Sequence, residues 1–352
     1  MHKHSQQSTV AVNNTSLSKD WQEAKKPITL MRVFLEKKMR IATVLTPLSD
    51  ANLRLAAQVG VTDIVCRFPG HYGQTLEQIK IRVDAAGLKL TVVEGYIPHN
   101  HIVHGTPQRD EQIAGFISLL QDMGHLGISI CCYNFMPDDD WSRTSFKTHG
   151  RGGALVSSYD LDLDDHQSIG PGGPIEEDQM WDNLEYFLRR VLPVAEEVGV
   201  KLALHPDDPQ VAKLRGQARI ITSPQAYERL FDLSKSSANG MCFCQGSFSQ
   251  IGEPIVDAIH HFADRIHYVH FRDVEGTMPK FQETFHDNGK TNMLAAMKAY
   301  AAIGYKGVMR PDHVPVLEGE SADENPGYTM LGRLFAVGYM RGLIEAATTR
   351  TN

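Results

Sequence analysis

The chain has 352 residues, 42% of them hydrophobic and 22% charged, with a formal net charge of -7. That length buries a full core and suits one large domain with additions, and no apolar run approaches the roughly 20 residues of a membrane span. With no basic run beyond scattered pairs such as Lys37-Lys38, it has no electrostatic footprint for nucleic acid, which points to small-molecule chemistry.

Five cysteines, an odd number, argue against a disulfide framework and for a reducing compartment, so the chain is expected in the cytoplasm. Residues 1–38 are polar, lack the apolar segment of a signal peptide and carry Asp20 and Glu23. They are expected to form a flexible N-terminal extension to a single catalytic domain over 39–348.

From Met39 onward, short β-rich runs alternate with longer amphipathic stretches, the pattern of βα units around a parallel sheet. Strands are predicted at Arg40–Leu45, Asp63–Cys66, Lys89–Glu94, Ser129–Asn134, Lys201–His205, Met241–Gln245, His267–Phe271 and Gly307–Arg310. Helices are predicted at about 50–59, 74–87, 108–124, 178–198, 223–234, 254–264, 291–303 and 328–347, with Gly60, Gly87, Gly124, Gly199 and Gly304 at helix ends. Eight strands, each followed by a helix, predict an α/β fold, a (β/α)8 TIM barrel. A doubly wound open sheet is the weaker alternative, because no G-x-G-x-x-G follows an early strand.

Two stretches break the rhythm. Residues 136–179 form a long insertion between the fourth strand and its helix, with a glycine-turned hairpin over His149–Tyr159 and an acidic run Asp160–Asp165. Such an insertion serves as a lid, a surface excursion or an oligomer contact. The second, 274–290, follows the seventh strand and holds Glu283, His286 and Asp287.

Barrel enzymes gather their reacting groups at the C-terminal strand ends. The last four strands finish on or beside His205, Cys244, His270 and Asp312. Two imidazoles, a thiolate and a carboxylate suit a borderline divalent ion, Mn²⁺, Fe²⁺, Co²⁺ or Zn²⁺. Cys242, two positions earlier on the same face, is a deeper rival or a packing residue. His267 falls on the opposite face. His313 and Tyr328 are able acid-base partners. Asn134, Arg143, Arg310, His99 and His286 are candidate substrate contacts; an Arg there clamps a carboxylate. The run Asp138–Asp140 reads as loop-tightening rather than a second metal site.

Several motifs resemble mannonate dehydratases: Cys132-Tyr133-Asn134-Phe135-Met136-Pro137 with Asp140-Trp141-Ser142-Arg143-Thr144, Leu204-His205-Pro206-Asp207-Asp208-Pro209, Phe243-Cys244-Gln245-Gly246-Ser247, His267 to Arg272, Arg310-Pro311-Asp312-His313, and Pro326-Gly327-Tyr328. The resemblance implies a metal-dependent xylose-isomerase-like barrel converting D-mannonate to 2-keto-3-deoxy-D-gluconate. It places Mn²⁺ or Fe²⁺ ligands on His205, Cys244, His270 and Asp312 and the catalytic pair on His313 and Tyr328. Tyr328 is expected to act at the C2 hydrogen and His313 as the acid at the C3 hydroxyl, or the reverse. The chain departs from the family pattern at 67–74, at 95–100 and in the loop ending on Asn292, segments expected to shape the pocket away from the metal.

The alternatives are a sugar isomerase or epimerase, against which Cys244 argues, and a non-catalytic sugar-acid-binding barrel, against which His313 and Tyr328 argue. The expected partners are a sugar acid and further copies of the chain, as a dimer or tetramer, with no nucleic acid and no membrane.

Overall fold

A computed structural model describes residues 39–71, 73–138, 141–165, 168–321, 323 and 327–349. The expected N-terminal extension lies outside them, as do Asp139, Asp140, Asn325 and Pro326. The strands are β1 (Arg40–Val44), β2 (Asp63–Cys66), β3 (Lys89–Glu94), β4 (Ile130–Tyr133), β5 (Ser145–His149), β6 (Leu155–Asp160), β7 (Lys201–Leu204), β8 (Lys213–Leu214), β9 (Gln217–Ala218), β10 (Asn239–Cys244), β11 (Ile266–Phe271), β12 (Val274–Thr277), β13 (Lys280–Glu283) and β14 (Val308–Pro311). The helices are α1 (Asp50–Gln58), α2 (Leu76–Ala85), α3 (Asn100–His104), α4 (Arg109–Leu126), α5 (Glu177–Val198), α6 (Pro224–Leu233), α7 (Gln245–Gln250), α8 (Ile255–His261), α9 (Met293–Ala302) and α10 (Met330–Thr348).

Eight strands close a parallel barrel in the order β1, β14, β11, β10, β7, β4, β3, β2, as the βα rhythm predicts. Barrel strands are covered on both faces, so they read as apolar runs rather than alternating ones. Every residue of β2, β10, β11 and β14 is buried. Inside, Ala42, Val44, Val65, Val92, Ile130, Cys132, Ala203, Cys242, Tyr268 and Val308 pack into an apolar plug, which leaves the polar chemistry to the layer above it.

The helices pack their apolar stripes on the outside. In α5, Trp181, Leu184, Leu188, Val191 and Ala195 are all buried, a spacing of three and four that lines one helical face. Each large side chain there contributes about 1.5–3 kcal/mol.

Gly60, Gly87, Gly199 and Gly304 do adopt left-handed φ of 87°, 77°, 73° and 71°. Gly124 does not end its helix. It lies inside α4, which terminates at Gly127 with φ 70°. A Cβ at Gly124 would fall 2.5 Å from the Val198 Cβ, so this glycine permits a close approach of α4 and α5.

The two irregular stretches form one structure. The expected hairpin is β5 and β6, and 274–290 supplies β12 and β13; together they make a four-stranded antiparallel sheet in the order β12, β13, β6, β5. The short helices α3 and α7 lack enough turns to show a period in sequence.

Candidate active site

His205 follows β7, Cys244 ends β10, His270 is next to last in β11 and Asp312 follows β14. Their ligand atoms all lie within 4.8 Å of one another. His205 Nδ1 is 2.6 Å from the Pro206 carbonyl and His270 Nε2 is 3.1 Å from Glu94 Oε2. Each ring therefore donates outward through that nitrogen, which fixes its tautomer.

The two remaining nitrogens, His205 Nε2 and His270 Nδ1, are 3.1 Å apart, a distance at which they share a proton; an ion that displaces it meets both lone pairs. Asp312 Oδ2 stands 3.5 Å from His270 Nδ1. Burial opposes ionisation of the Cys244 thiol, but Arg272 and His205 hold it well below the usual thiol range. Converging lone pairs, a thiolate and a carboxylate call for a positive charge at their centre, and the donor set fits a divalent ion.

Around this set lies a buried lattice of charges. Glu94 accepts from Arg310 Nε and Nη2 at 3.0 and 2.6 Å, from Arg67 Nη1 at 3.0 Å and from the Tyr268 hydroxyl at 3.0 Å. Arg310 also donates to Asp312 Oδ1 at 2.7 Å. Arg272 reaches Asp208, Glu283 and Asp312 at 2.8, 2.7 and 3.0 Å. Burial raises the cost of the Glu94 and Asp312 charges, yet Arg310 leads the groups that keep both carboxyls well below their usual range.

Of the expected site residues, Asn134, His205, His270, Arg310, Asp312, His313 and Tyr328 line one cavity. His313 sits at φ 44°, a left-handed conformation that costs about 1–2 kcal/mol for a residue with a Cβ. Its ring packs against Trp141 and Tyr328 at centroid distances of 4.5 and 5.5 Å. Its nitrogens stand 3.6 Å from Glu283 Oε1 and 3.7 Å from Asp312 Oδ2, and burial pulls its pKa well down against Asp312. Tyr328 donates its hydroxyl proton to Asp312 Oδ1 at 3.1 Å; burial and that carboxylate push the phenol up to about 12.

Three expected substrate contacts lie elsewhere. Arg143 is wholly buried and donates to Asp208 Oδ1 and Oδ2 and to Glu283 Oε1 at 2.7, 2.9 and 2.7 Å, so its fork is committed to protein carboxylates. The two ring nitrogens of His99 meet the Ile97 and Met136 carbonyls, both at 2.9 Å. His286 is buried at 1% exposure outside the cavity lining.

Sequence reasoning passed over Glu94, Trp141 and Asp208, which also line the cavity, as does Arg67 from the segment 67–74 expected to shape the pocket. Glu94 was within reach, since it is the last residue of β3 and the strand-end rule applies to every strand.

Residues 48–171 and 172–352 match the family described as D-mannonate dehydratase (UxuA). The chain belongs to the mannonate dehydratase family. A mannonate dehydratase of Streptococcus agalactiae serotype III (strain NEM316) is 34% identical over 302 residues, spanning 78% of this chain and 86% of the relative. The crystal structure of the mannonate dehydratase from Streptococcus suis serotype2 aligns with a TM-score of 0.80 at 31% identity, covering 88% of this chain and 94% of that one. A xylose isomerase domain protein from Alicyclobacillus acidocaldarius subsp. acidocaldarius shares the barrel fold, with a TM-score of 0.61 at 16% identity over 88% of this chain and all (100%) of that one.

The resemblance read from the motifs and the expected barrel are both borne out. Mannonate dehydratases are hydro-lyases, and the family implies a divalent metal and a small sugar-acid substrate.

Proposed function

We propose that this chain removes water from a sugar acid, D-mannonate first, giving 2-keto-3-deoxy-D-gluconate, with Mn²⁺ or Fe²⁺ held by His205, Cys244, His270 and Asp312. The observation that carries this reading is that His205, His270 and Asp312 line the same cavity as His313 and Tyr328, with the Cys244 sulfur within 4.8 Å of their ligand atoms. A divalent ion there would supply Lewis-acid polarisation of the substrate carboxylate and take up charge as C2 loses its proton.

Charge balance supports an acid as substrate. Arg67, Arg143, Arg272 and Arg310 offset Glu94, Asp208, Glu283 and Asp312. The Cys244 thiolate and a divalent cation then leave a surplus positive charge, which suits a monoanionic carboxylate.

Elimination needs a base at C2 and an acid at the C3 hydroxyl. The Tyr328 hydroxyl donates to Asp312 and therefore holds a proton in this arrangement, which supports Tyr328 as the acid and His313 as the base. That is the reverse of the first division of roles read from sequence. Trp141 packs against both rings. Arg67, from the segment that departs from the family pattern, lies on the cavity wall and reads as a cation for the substrate's anionic or hydroxylated end.

The same reading takes residues 39–348 as the catalytic domain of a cytoplasmic homo-oligomer, a dimer or tetramer. Leu163 and Ile169, 72% and 63% exposed on the long insertion, support a subunit contact there, which the mass of the purified protein in solution checks. The function is tested by supplying metal-loaded protein with D-mannonate and other aldonates and assaying 2-keto-3-deoxy acid. Absence of product from every aldonate, in folded protein with metal bound, sinks the reading.

A further inference from the structure

Below the proposed ligand set, two thiols take no part in the mechanism above. Cys132 on β4 and Cys242 on β10 are 1% and 0% exposed and belong to the apolar plug of the barrel. Their sulfurs and a ring nitrogen of His270 lie within 4.8 Å of one another. Cys132 also lines the cavity, so the group connects to the space through which an ion would arrive.

We propose that Cys132, Cys242 and His270 form a second, thiol-rich site that captures a thiophilic d¹⁰ ion such as Cu⁺, Zn²⁺ or Cd²⁺. Sulfur donors select these ions over Mn²⁺ or Fe²⁺, which favour the set with more nitrogen and oxygen. Two thiolates neutralise a divalent ion, so its burial beside Ala203 and Tyr268 leaves no bare charge in the plug. His270 belongs to both groups. An ion held below therefore competes with the upper set for that imidazole, and thiophilic ions block the site from beneath. This inference rests on the side-chain geometry and stands whatever substrate the cavity takes.

The test titrates Cd²⁺ into metal-free full-length protein and reads the ultraviolet sulfur-to-cadmium charge-transfer absorption. Cys244→Ser removes the only sulfur of the upper set. It is expected to keep about half or more of the wild-type absorption, because the two lower thiolates remain. The double variant Cys244→Ser, Cys242→Ala is expected to lose it. Should Cys242→Ala fail to fold by circular dichroism, Cys132→Ser takes its place in the double variant. Loss of the absorption in folded Cys244→Ser, or its persistence in the double variant, overturns the proposal.

Discussion

Glu94 and Arg310, 216 residues apart in sequence, meet through two hydrogen bonds of 3.0 and 2.6 Å at the barrel mouth. The same carboxylate accepts from His270 Nε2 at 3.1 Å. It therefore neutralises a buried guanidinium and orients a proposed metal ligand together. Glu94→Gln keeps the shape and removes the charge. Breaking one side of a buried pair costs about 3–5 kcal/mol, and loss of a ligand's outer partner weakens metal binding about 10–100-fold. Denaturant unfolding and competition with a chelator measure the two effects. Wild-type values for both would show that Glu94 does neither.

Tyr328 and His313 are separable by following hydrogen exchange at C2 of the substrate. If His313 is the base and Tyr328 the acid, Tyr328→Phe retains bound metal and C2 exchange with solvent deuterium, while product formation falls about 100-fold or more. His313→Gln loses exchange and product together. Exchange abolished in Tyr328→Phe but kept in His313→Gln would assign the roles the other way.

The barrel was legible because each strand and helix carries its own local signal. β2 and β3 fall at their expected limits, and the other barrel strands lie within two residues of theirs. The proposed ligands were legible because strand ends share one rim. What escaped was pairing between distant segments. Nothing near Arg143 indicates that its fork is filled by Asp208 and Glu283, the second of which arrives 140 residues later. Nothing local shows that 274–290 completes the sheet begun by β5 and β6. Gly124 looked like a helix end because a glycine needed for close packing and one needed for a left-handed turn are the same letter.

Arg67 tests the part of the pocket that departs from the family pattern. Its Nη1 donates to Glu94 Oε1 at 3.0 Å, and its guanidinium carbon lies 5.2 Å from the Tyr328 ring centroid. A charged hydrogen bond to substrate contributes about 1.5–3 kcal/mol. Arg67→Met is therefore expected to raise KM by about 10–100-fold, at 1.4 kcal/mol per factor of ten, with a smaller change in kcat. An unchanged KM for every aldonate would remove Arg67 from substrate recognition.

His267 ties stability to pH at a position away from the reacting groups. Burial pulls its pKa from 6.5 down to about 4, although Nδ1 is bonded to the Leu202 carbonyl at 2.8 Å. A proton therefore binds the unfolded chain more readily than the folded one between pH 6.5 and about 4, so stability falls as pH is lowered through that window. Between pH 7 and pH 5 this one group costs about 2 kcal/mol. Burial depresses His286 to about 4 as well, and it adds to the wild-type slope in the same direction. The difference between wild type and His267→Gln isolates His267: urea unfolding at the two pH values should show the variant losing about 2 kcal/mol less. Equal losses in both proteins would mean that His267 is not held neutral by the fold.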